Sequence, residues 1–153
     1  MQDRMDGEQL DDLSTRIDEW LDVLRRENEQ ISAVDRVDED AVRRWFVRLR
    51  GDEKDVTTIW FALRERTLRY ETYVLPAPEE NDAALYEQLL RRNDRLVGVH
   101  FSIGDEDAVF LRGEIPASSV DEIAVDRIVG TVFGVVEQTF QGLLRIGFAS
   151  RFG

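Results

Sequence analysis

The sequence of 153 residues contains no cysteine, a single histidine (His100) and a single lysine (Lys54). Without cysteine the chain can form neither disulfides nor thiolate metal sites. One histidine excludes a multi-histidine metal site within one chain, and any histidine-based triad would have to use it. The sequence also lacks a glycine-rich phosphate loop and a nucleophile elbow. These absences predict a protein that is not an enzyme and that needs no metal or cofactor.

No stretch of the sequence approaches the roughly 18 consecutive apolar residues that a membrane span needs. The chain does not start with a basic-then-apolar leader, so the cytoplasm is the predicted compartment. The absence of cysteine agrees with that compartment. A hydrophobic content of 42% in 153 residues is typical of one folded domain, here predicted over residues 1–153.

The formal net charge is −12, which argues against non-specific binding to nucleic acid or anionic membranes. The charge is uneven along the chain. Residues 1–40 carry 14 acidic and 5 basic residues, whereas residues 43–75 carry 5 acidic and 8 basic residues. The acidity therefore belongs mainly to the N-terminal segment, and the first predicted strands are mildly basic.

The N-terminal segment, residues 1–40, is predicted to form an acidic helix followed by a linker. Asp6 and Gln9 resemble a capping box that starts a helix reaching about Asn28. Its apolar stripe has three- and four-residue spacing and consists of Leu10, Leu13, Ile17, Trp20, Leu21 and Leu24. The acids off this stripe, expected on a solvated face, are Asp11, Asp12, Asp18, Glu19 and Asp22. Residues 29–42 are predicted to be a linker or a short irregular strand.

The remaining sequence alternates between strand and helix patterns. Residues 44–50, 57–64 and 68–75 alternate with period two, and short loops between them favour an antiparallel meander. After two prolines, a helix capped by Asn81 or Asp82 is expected to reach about Arg95. A hairpin follows over 97–103 and 109–114. Ser119 and Glu122 suggest a capping box for a last helix ending near Gly142. The prediction is an α+β fold of order α-β-β-β-α-β-β-α, an antiparallel sheet flanked by helices.

The last helix is apolar on more than one side. Either it is sandwiched within the core, or its second apolar side meets another subunit. On the second interpretation Val125, Val129 and Phe133 form a homodimer interface. Gly130 and Gly134 also match a small-xxx-small pattern, which permits close approach of another backbone, although close helix–sheet packing explains it equally.

The candidate binding site is the sheet face opposite the predicted core. Period-two alternation directs aromatic and arginine side chains to that face. The predicted binding residues are Phe46, Arg48, Trp60, Arg69, Tyr73, Phe110 and Arg112. Aromatic rings beside arginines suit a peptide or ligand surface. The alternative is that a helix or a second subunit covers these rings.

Two further features are expected to be ordinary surface. His100 lies in mid-strand on the same face as the arginines and is expected to be a surface histidine. The acidic turn at 105–107 lacks the spacing and the central glycine of a calcium loop, so a solvated turn is the better interpretation.

Five sequence blocks resemble the actinobacterial branch of the YbjN-like family. They are WFVRLRG at 45–51, RTLRYETY at 66–73, PAPEEN at 76–81, LLRRN at 89–93 and IGF at 146–148. The resemblance spans about residues 42–150 in one order. It implies a fold like that of the type III secretion chaperones, which are small, acidic and usually dimeric proteins that hold partner polypeptides. No agreed activity or catalytic residues come with it.

The sequence thus predicts a non-enzymatic, chaperone-like regulatory module that forms a homodimer and binds a protein or peptide. The alternative is a small-ligand sensor or enzyme with a pocket between sheet and helices. In that case Arg48, Arg69 or Arg112 would grip an anion.

Overall fold

The computed structural model describes residues 4–152, which fold as one antiparallel sheet with three helices. The elements are α1 (Gly7–Glu27), β1 (Ile31–Arg36), β2 (Arg43–Arg50), β3 (Val56–Leu63), β4 (Thr67–Leu75), α2 (Asp82–Asn93), β5 (His100–Ile103), β6 (Val109–Pro116) and α3 (Glu122–Gly147). The strand order in the sheet is β1-β2-β3-β4-β6-β5. The predicted α+β class and antiparallel sheet are confirmed. Of the predicted domain, residues 1–3 and 153 lie outside the described residues.

The helices pack against one face of the sheet. α1 contacts β1 and α3, α2 contacts β5 and α3, and α3 contacts β3 and β4. Alternation along the strands directs Trp45, Ile59, Tyr70 and Leu111 into this layer, where each is at most 3% exposed. The other face of the sheet, here called the outer face, carries the half-buried and exposed residues of the same strands.

Strand β1 occupies the segment that the sequence pattern predicted as a linker or irregular strand. It pairs antiparallel with β2, and a register shift between Ile31 and Ala33 breaks its period-two pattern. Arg36 stacks on Trp45 at 5.2 Å and pairs with Asp18 at 3.1 Å. Asp18 also accepts a hydrogen bond from the indole Nε1 of Trp45 at 2.7 Å. Asp18 therefore links α1 to the sheet and does not belong to the solvated acidic face.

The N-terminus of α1 is confirmed and that of α3 differs from the prediction. Asp6 and Gln9 form the capping box of α1, each side chain bonding the backbone of the other. The cap of α3 is Asp121, whose carboxylate accepts the backbone N–H of Ala124 at 2.7 Å. The predicted Ser119 cap was wrong because residues 117–119 form a separate 3₁₀ turn before the helix.

Helix α3 buries the side predicted as a dimer interface. Val125 is 2% exposed and Val129 is 3% exposed, both within the core of this chain. Their assignment to a subunit interface is therefore corrected: they fill the space between α3 and its neighbours. Phe133 is half-buried against that core and keeps part of its ring accessible.

The segment after β4 caps the C-terminal end of α3, which extends to Gly147, beyond the predicted end near Gly142. The backbone N–H groups of Glu79 and Glu80 both donate to the carbonyl of Gly147. The Asn81 side chain donates to the carbonyl of Ile146 at 3.0 Å instead of capping α2. The PAPEEN block thus satisfies helix carbonyls that would otherwise lack donors.

The loop between β2 and β3 is tied to α3 by one carboxylate. Glu137 accepts the backbone N–H groups of Asp52 at 2.6 Å, Glu53 at 3.1 Å and Lys54 at 3.1 Å. A side chain at Gly51 would have its Cβ 2.6 Å from the Glu137 carboxylate. Only glycine therefore allows this approach, and the tether holds Lys54 beside the outer face.

Candidate functional site

The outer face carries all seven predicted binding residues, on strands β2, β3, β4 and β6. Register places Phe46 opposite Trp60, and Tyr73 opposite Phe110. In the described residues no helix covers these rings: Tyr73 is 45% exposed, and the other three are half-buried. Of the two alternatives for covering this face, a helix of the same chain is therefore excluded within residues 4–152.

The aromatic residues of the outer face form two contacting pairs. The rings of Phe46 and Trp60 lie 5.4 Å apart and are tilted by 56°. The rings of Tyr73 and Phe110 lie 5.7 Å apart, edge to face. The quadrupoles of the rings favour both arrangements. Each ring is therefore held in place by the other ring of its pair, and part of its surface stays accessible to a ligand.

Arginines stack on these rings. The Arg44 guanidinium lies 4.7 Å from the Trp60 ring centroid, and that of Arg48 lies 5.2 Å from Phe46. Stacking on a ring face leaves the edge of a guanidinium, with its N–H donors, pointing along the surface. Arg48 can therefore offer paired donors next to apolar contact area, whereas Arg44 is also paired with Glu39 at 3.4 Å.

Two predicted arginines are engaged by carboxylates of the same face. Arg112 pairs with Glu71 at 2.8 Å and donates to Ser102 at 3.1 Å. Arg69 lies 3.5 Å from Glu114, and both side chains are largely exposed. An arginine that already has a carboxylate partner is less able to attract an anion, so these two mainly order the face.

Arg48 and Arg64 differ from them. Neither forms an ion pair with any carboxylate of residues 4–152; the nearest polar partner of Arg48 is the Thr58 hydroxyl, at 3.5 Å. Both are exposed. His100, on the edge strand β5 opposite Arg112, is exposed as well. Within residues 4–152, the arginines of the outer face that have no carboxylate partner are thus Arg48, Arg50 and Arg64.

Two adjoining concavities run across the outer face. The larger, of about 570 Å³, is lined by Arg64, Arg69 and His100 among others, and the smaller, of about 400 Å³, by Tyr73 and Phe110 among others. Trp60, Arg44 and Glu71 line both. Trp60 therefore sits at the middle of one continuous groove.

Burial changes the ionisation of two groups at the smaller concavity. It raises the pKa of Tyr73 further above physiological pH, where the hydroxyl is neutral in any case and can donate. It lowers the pKa of Lys54, whose Nζ donates to the carbonyl of Val56 at 2.9 Å. Lys54 is thus partly occupied by the backbone, and Tyr73 is the freer donor.

Both edges of the sheet are partly blocked. At the β5 edge, the Asn93 amide accepts from the N–H of Phe101 at 2.7 Å and donates to its carbonyl at 3.1 Å. At the β1 edge, the Asp35 carboxylate accepts from the N–H of Arg36 at 2.8 Å. Such devices discourage addition of a further strand, so the face is more open to a partner than the edges are.

The geometry corrects the proposed ligand pocket between sheet and helices. Arg48, Arg69 and Arg112 lie on the outer face, opposite the helix layer. They cannot reach a ligand held between the two layers. The space there is filled by the core cluster.

Residues 4–152 contain no group of three or more histidine, aspartate or glutamate side chains placed to hold a metal ion. The acidic turn Asp105–Asp107 is a 3₁₀ turn in the β5–β6 connection. In the same part of the chain, no helix is both long and apolar enough to cross a membrane.

Two residues of the groove escaped the sequence prediction. Arg44 lies on the same side of its strand as Arg48, and Arg64 on the same side as Trp60. The period-two alternation that identified the outer face could therefore have identified both arginines.

Comparison with known proteins identifies relatives of the chain. The YbjN family model, described as "Putative bacterial sensory transduction regulator", matches residues 14–145. An uncharacterized protein of Mycobacterium tuberculosis is 38% identical over 104 residues, which are 68% of this chain and 57% of that protein. One of Mycobacterium leprae is 33% identical over 111 residues, covering 72% and 60%. The chain thus spans less than two thirds of the length of these relatives.

The fold is similar to solved structures. A chain in the crystal structure of the ExsC–ExsE complex matches with a TM-score of 0.54 and 14% identity, covering 86% of this chain and 96% of that one. A chain of the ExoU–SpcU complex from the type III secretion system of Pseudomonas aeruginosa gives a TM-score of 0.48 at 17% identity, covering 85% and 93%. The chaperone-like fold that the resemblance implied is confirmed at the level of the fold.

Proposed function

This chain belongs to the YbjN family, and we propose that it is a non-enzymatic, chaperone-like regulatory module of the cytoplasm. Its proposed activity is to bind a protein or peptide partner on the outer face of its sheet. The acidic composition agrees with a role that does not involve nucleic acid or membranes.

The observation that carries this proposal is the uncovered row of aromatic pairs on the outer face. Phe46, Trp60, Tyr73 and Phe110 present ring surface that no helix of residues 4–152 covers. Aromatic and arginine side chains are the types that dominate binding energy at protein interfaces. Partial blocking of both sheet edges leaves the face as the larger accessible surface.

The fold supports the proposal by analogy. A chain of the ExsC–ExsE complex has a similar fold and was crystallised together with another protein. Fold likeness at 14% identity does not transfer a partner, so the argument for this chain rests on its own outer face.

Substitution of the central rings tests the proposal. Trp60→Ala and Tyr73→Ala remove contact area on the outer face without opening the core, so circular dichroism should report an unchanged fold. Affinity capture from the native cytoplasm, read by mass spectrometry, should lose specific partners with both variants. Phe152→Ala removes an aromatic ring that is 52% exposed elsewhere and serves as the matched control. Capture that is the same for all four proteins would exclude the outer face as the binding surface.

We also propose that the protein is a homodimer, with the exposed side of α3 as the interface. Ile123 is 67% exposed, and it shares that side with Gly130 and Gly134 at seven- and four-residue spacing. A Cβ added to either glycine would meet no atom within 4 Å. Half-buried Phe133 borders this side. These four residues replace the buried Val125 and Val129 in the proposed interface.

A further inference from the structure

The outer face has the opposite charge balance to the whole molecule. By register and alternation its strands carry six arginines against three acids; the arginines are Arg44, Arg48, Arg50, Arg64, Arg69 and Arg112, and the acids are Asp35, Glu71 and Glu114. Glu39 and Asp40 of the β1–β2 loop also line the groove, which leaves six arginines against five acids. The complete chain has a net charge of −12. A partner that is attracted to this face and not to the rest of the surface must therefore be acidic.

Half of these arginines already have a carboxylate partner. Arg44, Arg69 and Arg112 pair with Glu39, Glu114 and Glu71, respectively. Of the other three, Arg50 donates to the backbone carbonyl of Glu29 at 3.4 Å, whereas within residues 4–152 Arg48 and Arg64 have neither a carboxylate nor a backbone acceptor. Arg64 lines the larger concavity, and Arg48 stacks on Phe46 and reaches Thr58, which lines the smaller one. These two guanidiniums can each receive a carboxylate in bidentate geometry.

The two open arginines flank Trp60 along the direction of β3. Arg48 lies opposite Thr58, and Arg64 comes six residues after Thr58 on the same alternation as Trp60. At about 3.3 Å per residue, the two positions are about 20 Å apart. An extended peptide has the same rise per residue, so two acidic side chains six residues apart would match them.

We propose that the outer face selects an extended acidic peptide segment, in which two carboxylates about six residues apart engage Arg48 and Arg64. The alternate side chains between them are apolar and lie on Trp60 and Phe46. This inference rests on the proposed function and adds the chemistry of the partner to it.

A second copy of this chain and a nucleic acid fit the face less well. Pairing two outer faces would bring arginine-rich surfaces together, which costs electrostatic energy. A nucleic acid carries a charge at every phosphate, and the groove also contains Glu39, Asp40, Glu71 and Glu114. A peptide can place its charges only at the two open arginines and avoid these acids.

Selection from a displayed library of random twelve-residue peptides tests the inference without a known partner. The full chain is the bait, and Trp60→Ala is used to remove peptides that bind elsewhere. Enriched peptides should be net acidic, with two acidic positions six residues apart and apolar residues at the alternate positions between them. Fluorescence anisotropy with synthetic versions of the enriched peptides should show that Arg48→Glu or Arg64→Glu raises Kd about threefold to tenfold or more. Arg95→Glu, an exposed arginine of the helix layer, should leave Kd unchanged.

The other outcomes overturn the inference. Enriched peptides that are basic or without charge bias contradict it, and so does acidic-peptide binding that both arginine variants leave intact. A twelve-residue oligothymidine that competes as strongly as the winning peptide would assign the face to nucleic acid instead. If no peptide is enriched while Trp60→Ala still abolishes capture of cytoplasmic proteins, the acidic-peptide inference fails and the proposed function stands. If no peptide is enriched and Trp60→Ala leaves capture unchanged, both the acidic-peptide inference and the proposed function are contradicted.

Discussion

At the scale of single residues, the largest structural role that was not predicted from the sequence belongs to Glu137. Its carboxylate receives three backbone N–H groups of the β2–β3 loop. Because those donors lie more than 80 positions away along the chain, no local pattern could reveal the contact. Asp18 is similar: its partner Trp45 belongs to a different element. Charged residues of this kind look like solvated surface until the elements are assembled.

Glu137→Gln should destabilise the fold. The amide keeps the size of the side chain but replaces one accepting oxygen by a donor that faces backbone N–H groups. We expect the free energy of unfolding to fall by about 1.5–3 kcal/mol, the range for hydrogen bonds to a charged group. Urea unfolding measures this. Asp126→Asn changes the same charge on an exposed position of α3 and should shift stability by less than about 0.5 kcal/mol. Equal effects of the two variants would show that the tether contributes nothing.

At the scale of elements, the contact between the PAPEEN segment and the end of α3 should make stability depend on acid pH. The Arg151 guanidinium lowers the pKa of Glu79, and hydrogen bonds from Ser150 lower the pKa of Glu80, both from the usual 4.5. The folded chain therefore binds fewer protons than the unfolded chain in this range. The stabilisation from these two carboxylates is complete above about pH 4.5 and is lost as the pH falls below that value.

The double variant Glu79→Gln, Glu80→Gln tests that dependence. Its urea midpoint should lie below that of the unmodified chain at pH 7, and the two midpoints should converge at pH 3. High salt should reduce the difference at pH 7, because Glu79 is exposed and Glu80 partly exposed, so salt screens both charges. A difference that persists unchanged at pH 3 would mean that the carboxylate charges do not stabilise this contact.

Period-two alternation predicted the strands well because it is a local property. It separated Trp45 from Phe46 correctly and so identified the outer face before any contact was known. Strand β1 was less clear, since a register shift at Ile31–Ala33 and the charged pair Asp35–Arg36 hide its alternation. Which side of α3 is buried could not be predicted either, because Val125 and Ile123 are equally apolar and only packing distinguishes them.

At the scale of the whole molecule, the two layers have different surfaces. The helix layer contains the acidic α1 and the exposed side of α3, whereas the outer face of the sheet is aromatic and basic. The two proposed interactions therefore use opposite sides of the protein. Pairing of two copies through α3 would leave both outer faces free, so a dimer could present two peptide grooves at once.

Alanine substitutions at the open glycines of α3 distinguish a dimer contact from a purely internal feature. Gly130→Ala and Gly134→Ala meet no neighbouring atom in this chain, so each should raise the unfolding free energy of the monomer by about 1 kcal/mol through helix propensity. If a second α3 approaches there, the same methyl groups separate the helices, and the double variant should dissociate at concentrations where the unmodified chain is dimeric. Light scattering across the micromolar range measures this.

Gly142→Ala is the control: it also meets open space, but on another side of α3, so it should stabilise the chain and leave its association unchanged. An unmodified chain that remains a monomer at high micromolar concentration would contradict the dimer outright, and a double variant that dimerises as before would place the interface elsewhere.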